Sequence, residues 1–512
     1  MSLFPDIIIA HAISHPNKIA LIVGGEQITW EVFSKTINLV ANGLNDMDVG
    51  PDDMVAVLMD NSRAMVDVLF GIMKSGACSV PLNTSISDDA IEAMIKDCKP
   101  KVIIANGIHI SRIDKIRNSL DFSYNPEFIC SEADTKNWIN FENWQIKQNP
   151  GRSEISIPKD APCNVIYSSG TTGQPKGILH THEGRLFWAQ DIAPAFDYTA
   201  EAVSLCTIGL YSNIMWATML CTFFLGGTLV VEKSFNAKSA LKTIKDYKVT
   251  NTAMVPLQYE LLLEEGATVK GLKSMKSAIT VGSKMHRGLK LNMLKVMPKA
   301  LYELYGLTEG IITVQTPAEG RLKPESVGKV LSGCVIRILD ENNNFVAANN
   351  PGEIISQARF VMPGYLNRPE ESKSTFWVDD NGEKWLRTGD VAYVDDDGDV
   401  FIVDRKKDMI LSGGQNIYPQ DIEAVLVSHP DISDVAVIGV KSKRWGETPI
   451  ALCIADKDSN PDAIEVLNLC NQKLGKQQRI TDLFFVGELP RNSNGKILKK
   501  ELRKTYGAKV YD

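Results

Sequence analysis

No Cys-x-x-Cys pair occurs anywhere in the 512-residue chain. The nine cysteines stand singly, an odd and unpatterned set that argues against a disulfide framework or a zinc site and fits buried thiols in a reducing cytosol. A basic surplus is also missing. Lys and Arg total 55 against 62 Asp and Glu, a net charge of −7, which argues against nucleic acid as a partner because phosphate neutralisation needs a basic face. The opening MSLFPDIIIAHAISHPNK lacks a basic leader and carries Pro5 and Asp6 early, so it does not read as a signal peptide. The closing AKVYD matches no peroxisomal or reticulum-retention address. A cytoplasmic location is the resulting expectation. From Val203 to Val231 no residue is charged, but Gly226-Gly227 interrupts the run. It reads as a buried helix, a tight turn and a core strand, with no membrane span. Internal repeats and low-complexity runs are absent too.

What is present is a globular composition, 44% hydrophobic and 23% charged, at a length that predicts about three or four domains. The first half alternates strand and helix signals. KIALIVGGEQITW reads as two short strands around Gly24-Gly25. Trp30, Phe33, Ile37, Val40 and Leu44 then recur at helical spacing. MVAVLMD is a buried strand, AMVDVLFGIMKSG a helix stopped by Gly76, and KPKVIIAN and PCNVIYSSG are further strands. This alternation predicts α/β architecture with parallel sheet. The tail forms a second domain with its own small core. Its last helix, PDAIEVLNLCNQKLG, is expected to bury Ile464, Leu467, Cys470 and Leu474. The charged stretch Asp404-Arg405-Lys406-Lys407-Asp408 marks the boundary, dividing the chain into 1–404 and 405–512.

YSSGTTGQPKG (167–177) follows a strand directly. A P-loop NTPase requires Gly-Lys-Ser/Thr after its fourth intervening residue, whereas here Pro175-Lys176-Gly177 stands in that place. The remaining chemistry still suits an anion. Gly170, Gly173 and Gly177 let the backbone approach closely, Ser168, Ser169, Thr171 and Thr172 add hydroxyl donors, and Lys176 adds charge. At a strand's carboxyl end, such a loop lies where open α/β sheets bind ligands.

YSSGTTGQPKG resembles the phosphate loop of the adenylate-forming superfamily, which comprises acyl- and aryl-CoA synthetases, luciferases and peptide-synthetase adenylation domains. YELYGLTEG (302–310), WLRTGD (385–390), VFIVDRKKDMILSGGQNIYPQDIE (400–423) and PRNSNGKILKKELR (490–503) match the same family in order, and PGEI (351–354) and GYLNRPEES (364–372) resemble its connectors. The resemblance implies a large N-terminal domain of stacked α/β subdomains with a β-barrel-like part, and a small mobile α/β C-terminal domain. It implies that ATP is held by Ser169, Gly170, Thr171, Thr172 and Lys176 at its β- and γ-phosphates, with Thr308 at the α-phosphate and Tyr305 against adenine. Glu309 would bind Mg²⁺. Asp390 and Arg405 match ribose contacts. Lys496 matches the lysine that bridges substrate carboxylate and α-phosphate, and its place in Asn-Gly-Lys, not its charge, distinguishes it from Lys499 and Lys500. Lys407 falls at the family's hinge. Gly413 and Gly414 would line the thiol's tunnel, with Trp445 close to coenzyme A.

Two segments depart from the family pattern. In TIGLYSNIMWA, Gly209 and Ser212 stand where many relatives have Pro and His, leaving Tyr211 as the aromatic gate. TVGSKMHRG places Gly282, Ser283 and Lys284 where relatives often have Gly-Gly-Ala-Pro-Leu behind the adenine and acyl pocket, and Lys284 either faces solvent or meets a polar substrate tail. No acid lies in LYSNIMWATML to hold an amino acid's ammonium group. Tyr211, Ser212, Trp216, Lys284 and Leu304 suggest a partly filled pocket for short, branched or aromatic carboxylic acids. The acyl acceptor stays open between CoA and a carrier-protein pantetheine. A non-catalytic nucleotide-binding regulator on the same fold would be expected to lack Glu309 or Lys496, and both are present.

Overall fold

Strand Met54–Leu58, helix Arg63–Ser75 and strand Cys78–Pro81 form a unit whose strands pair in parallel, as a helical crossover allows. Repetition of this pattern builds two large sheets in the computed structural model, which describes residues 3–119, 125–153, 155–168, 175–412, 415–457, 459–475, 478–492 and 495–511. One sheet has seven strands, in the order Ile139–Asn140, Glu127–Ser131, Val102–Asn106, Met54–Leu58, Cys78–Pro81, Pro162–Ser168 and Lys176–Thr181. All its pairings are parallel except the last, a hairpin. The other has nine strands, and its central run Leu301–Leu307, Ser277–Thr280, Asn251–Met254, Val203–Cys206, Thr228–Val231 and Ile19–Val23 is parallel throughout.

Helix Trp30–Asp46 starts where Thr29 accepts a hydrogen bond from the Val32 amide, and it buries Trp30, Phe33, Ile37, Val40 and Leu44 on one face as their spacing predicts. Phe33, Phe70 and Phe223 meet there with ring centroids 5.1–5.8 Å apart. Such aromatic contacts tie helices Trp30–Asp46, Arg63–Ser75 and Asn213–Leu225 into one core. The uncharged run is strand Val203–Cys206, helix Asn213–Leu225, a left-handed Gly226 and strand Thr228–Val231. Among the described residues no helix is long and apolar enough to cross a membrane. All nine cysteines are free and buried.

The chain divides into two compact units, not the three or four that length alone predicts. The first comprises 1–335 with 356–386 and the second 336–355 with 387–512, so the expected divide after residue 404 falls inside the second. The charged stretch there ends a hairpin: strand Lys384–Val394 pairs with Val400–Arg405, bringing Asp390 opposite Arg405.

In the second unit, strands Gln415–Ile417, Ile410–Ser412, Gly446–Ala455 and Ile432–Ser442 form a sheet joined by Asp482–Phe485. Helix Ala463–Lys473 packs most of the expected stripe there, with Val466 buried and Ile464 not. Val466, Cys470 and Leu474 are buried and Leu467 partly so, whereas Ile464 is 72% exposed. Asp462 caps this helix by accepting from the Ile464 and Glu465 amides. The core-facing row runs along 466, 470 and 474, and Ile464 lies roughly 200° around the helix from Val466.

Candidate active site

Parallel strands present their carboxyl ends together. In the nine-stranded sheet Val203–Cys206 leads to Tyr211 and Ser212, Ser277–Thr280 to Gly282, Ser283 and Lys284, and Leu301–Leu307 to Thr308 and Glu309. Leu304 and Tyr305 lie within that last strand, with Tyr305 opposite Thr313. Topology alone thus brings residues spread over a hundred positions to one sheet edge, where ligands of open α/β sheets bind.

The seven-stranded sheet supplies the phosphate-loop hairpin. Ser168 pairs with Lys176 and Tyr167 with Gly177, which brings the two ends of the intervening segment side by side. Ser169, Gly170, Thr171, Thr172 and Gly173 lie outside the described residues, as does the Ser168 side chain. The hairpin is anchored from below: the Tyr167 hydroxyl donates to Asp97 Oδ2 at 2.8 Å, and Arg368 pairs with the same carboxylate at 3.0 Å. Residues 364–366 run along its outer strand, with Leu366 N donating to Gly177 O at 2.8 Å and Ile178 bridged to Tyr365.

Tyr365 is the residue that joins the two sheets' contributions. Lys176 Nζ lies 5.1 Å from the centre of its ring, and its hydroxyl donates to Glu309 Oε1 at 3.0 Å. Burial first, and the Glu309 charge second, push the phenol pKa upward, so it remains a donor at ordinary pH. The Glu309 carbonyl in turn accepts from Met362 N at 2.9 Å. The half-buried Glu309 carboxylate offers hard oxygen donors of the kind Mg²⁺ takes when phosphates complete its shell.

Gly310 is required by this contact. It has φ +130°, and a Cβ on it would stand 2.7 Å from Val361 Cα. Gly310→Ala is expected to destabilise the protein by about 1–3 kcal/mol, read as a lower denaturant midpoint at unchanged slope.

In the second unit, Arg405 Nε reaches Asp390 Oδ1 at 2.5 Å, and Asp390 is 2% exposed. Asp390 lies within strand Lys384–Val394, opposite Arg405. Lys496 is held on a turn in which Asn492 Oδ1 accepts from Lys496 N at 2.9 Å and Gly495 has φ +75°. Burial first, then the Arg405 charge, lowers its pKa to about 8, with Asp390 opposing. Lys499 is engaged differently, paired with Glu423 at 2.8 Å. Lys407 is exposed on the turn after Arg405. Trp445 is 37% exposed with the Arg444 guanidinium 4.8 Å from its ring centre, while Gly413 and Gly414 lie outside the described residues.

Among the pocket candidates, the Tyr211 ring covers Gly209 so closely that a Cβ there would be 2.1 Å from Tyr211 Cε1. Glycine in place of proline is thus what lets this ring fold back. Ser212 is buried and caps helix Asn213–Leu225. Lys284 lies on the surface, 3.8 Å from Glu325. Trp216 is fully buried and faces Arg185.

Three residues escape sequence reasoning. Tyr365 gives no local signal, since its partners are distant in the chain. Asn61 is buried and bolts the segment before Tyr211, donating to Ile208 O at 2.9 Å and accepting from Leu210 N at 2.8 Å. Glu303 forms a buried ion pair with Lys290, whose Nζ also donates to Gln315 Oε1 at 2.9 Å. A charge at an alternating position in YELYGL was the available hint for the last of these.

A two-unit α/β fold with this sheet edge, hairpin and Asp–Arg–Lys group defines a class of nucleotide-handling enzymes. The chain belongs to the AMP-binding enzyme family: residues 9–366 match it, and residues 421–496 match the AMP-binding enzyme C-terminal domain. It is 29% identical to an indoleacetate–CoA ligase of Aromatoleum aromaticum, over 98% of each chain. It is 30% identical to 4-coumarate–CoA ligase 2 of Nicotiana tabacum, over 91% of this chain and 86% of the relative. Its fold matches o-succinylbenzoate CoA synthetase of Bacillus subtilis, solved with the acyl-adenylate intermediate, at TM-score 0.86 and 26% identity over 98% and 99% of the chains.

Proposed function

We propose that the protein is an AMP-forming acid–CoA ligase. A carboxylate oxygen of the acid attacks the α-phosphorus of ATP, pyrophosphate leaves, and the acyl-adenylate then loses AMP to the thiol of CoA. The observation that carries this reading is the Lys176–Tyr365–Glu309 line, which joins the end of the phosphate-loop hairpin to a carboxylate on the neighbouring sheet edge. Two anions must meet in the first step, and their repulsion at a few ångströms in a partly dry site is about 4 kcal/mol or more. Lys176 and Lys496 supply positive charge and Thr308 orients the α-phosphate, while Glu309 would hold Mg²⁺, which when bound would offset the charge of the phosphates. Tyr305 backs the adenine beside Gly282 and Ser283. Asp390, paired with Arg405, accepts from the ribose hydroxyls. The C-terminal domain that begins at 405 turns at Lys407 between the two steps, withdrawing Lys496 and presenting Gly413, Gly414 and Trp445 to CoA.

For the acid, Tyr211 over Gly209 and the bulk of Leu304 favour short, branched or aromatic chains. Tyr211→Ala is expected to shift kcat/KM toward acids two or three methylenes longer by roughly tenfold or more. The direct test is acid-dependent pyrophosphate release over short, medium, long, aromatic and dicarboxylic acids, with and without CoA. Turnover of one acid class that needs CoA supports the reading. Pyrophosphate release indifferent to CoA directs the second step to a carrier-protein pantetheine, and silence across the panel overturns adenylation of these acids.

A further inference from the structure

Arg185, on helix His182–Ala195, has no part in the chemistry above, yet it is one of the largest fully enclosed side chains, 2% exposed. Its Nε donates to Asn164 Oδ1 at 2.8 Å and its Nη2 to Asn213 Oδ1 at 2.9 Å. The guanidinium lies 4.6 Å from the Trp188 ring centre and 5.5 Å from that of Trp216. Amide oxygens and ring faces solvate a cation without neutralising it. Among the described residues no carboxylate pairs with this guanidinium. The ionisable groups that interact electrostatically with it are the Cys163 and Cys78 thiols and His180. Burial pushes Cys163 up to about 12 and Cys78 well above its ordinary value, and it drives His180 well below its own, so all three are neutral at ordinary pH. A buried charge ordinarily has a counter-charge.

The surroundings are short of acceptors. Asn164 Nδ2, Trp216 Nε1 and His180 Nε2 are all buried, and none has a hydrogen-bond partner among the described residues. Asn164 and His180 are register partners across the hairpin, so they stand side by side. Donation from Arg185 fixes Asn164 Oδ1, which leaves Nδ2 as a donor, and an indole N–H can only donate. Asn213, gripped by Arg185, opens a helix whose preceding residues are Tyr211 and Ser212.

We propose that Arg185, Asn164 and Trp216 form a buried site for a small monovalent anion of carboxylate type. Two sources share that chemistry. One is the distal carboxylate of a dicarboxylic acid substrate, which rests on the ligase reading and on Tyr211 and Ser212 bordering the acid pocket. The other is a free anion that neutralises Arg185.

The full-length protein distinguishes them. In one arm its melting temperature is followed with sodium formate or bromide, ionic strength being held with the bulky anion isethionate. In the other, pyrophosphate release is compared for a five-carbon dicarboxylic acid and the five-carbon monocarboxylic acid. A free anion gives a saturable rise in melting temperature that is lost in Arg185→Met and retained in Arg185→Lys. A substrate carboxylate gives at least a tenfold preference for the dicarboxylic acid, which Arg185→Met abolishes and Arg185→Lys partly restores. Should Arg185→Met fail to fold, Trp216→Phe keeps the ring face, removes the Nε1 donor and is expected to weaken the same readouts. No anion-dependent melting together with no dicarboxylate preference overturns the site. Pyrophosphate release with other acids under those conditions would leave the ligase reading standing. An anion effect with every acid silent would instead keep the site and sink that reading.

Discussion

Lys496→Ala is expected to lower acid-dependent pyrophosphate release by about 10²–10³-fold, while conversion of supplied acyl-adenylate and CoA to thioester falls by less than about threefold. The asymmetry follows from charge. Adenylation brings a carboxylate against a triphosphate, and a fixed cation there acts on the transition state more than on either bound reactant. Thioester formation starts from the neutral carbonyl of a mixed anhydride and has no such need. Equal loss in both half-reactions would remove Lys496 from this role. The pH profile gives an independent check. Lys496 has its pKa lowered to about 8, chiefly by burial and then by Arg405. It is therefore protonated below that value and loses its charge as pH rises through it. The kcat/KM for adenylation, which reports the free enzyme, is expected to fall above about pH 8, while kcat, measured with both anions bound, holds to higher pH. Lys496→Arg is slower because its fork fits one point charge poorly, but its alkaline limb disappears, since guanidinium stays charged.

Much of this molecule was legible in the sequence because its signals are local. The hairpin around Gly24-Gly25, the helix from Trp30 and the helix ended by Gly76 stand where spacing and turn residues place them. The broken apolar run from Val203 to Val231 resolves as helix, turn and strand for the same reason. Spacing misplaced one residue of the last stripe: Leu467, Cys470 and Leu474 pack inward, but Ile464, in the first turn beside the Asp462 cap, faces water. The two compact units were not legible in the same way, because residues 336–355 join the second unit from far upstream and no composition change marks them. At the candidate site, the sequence offers an ordered set of glycines and charges but not the partners of those side chains. Nothing near Tyr365 in sequence announces that its ring lies over Lys176 and its hydroxyl on Glu309. Nor does the Arg185 pattern announce burial, since the asparagines and tryptophans around it are drawn from strands and helices folded together only in three dimensions.

The second large effect is expected at Glu309. Glu309→Gln keeps the shape and an acceptor oxygen but removes the charge, so it is expected to cut kcat for adenylation by about 10²-fold and raise the Mg²⁺ concentration needed for half-maximal rate by about tenfold or more. Tyr365→Phe tests the neighbour separately. It removes one hydrogen bond of 3.0 Å to the carboxylate but leaves the ring under Lys176, and a single charge-assisted bond corresponds to about 1.5–3 kcal/mol, or roughly ten- to a hundredfold. If the phenol acts only by orienting Glu309, the double variant is no slower than Glu309→Gln alone, because Tyr365 then has no carboxylate left to position. Effects that multiply would mean that Tyr365 also acts on the phosphates through Lys176. Magnesium titration separates the two cases: orientation of Glu309 predicts a raised Mg²⁺ requirement in Tyr365→Phe, whereas action through Lys176 predicts a higher KM for ATP at saturating Mg²⁺.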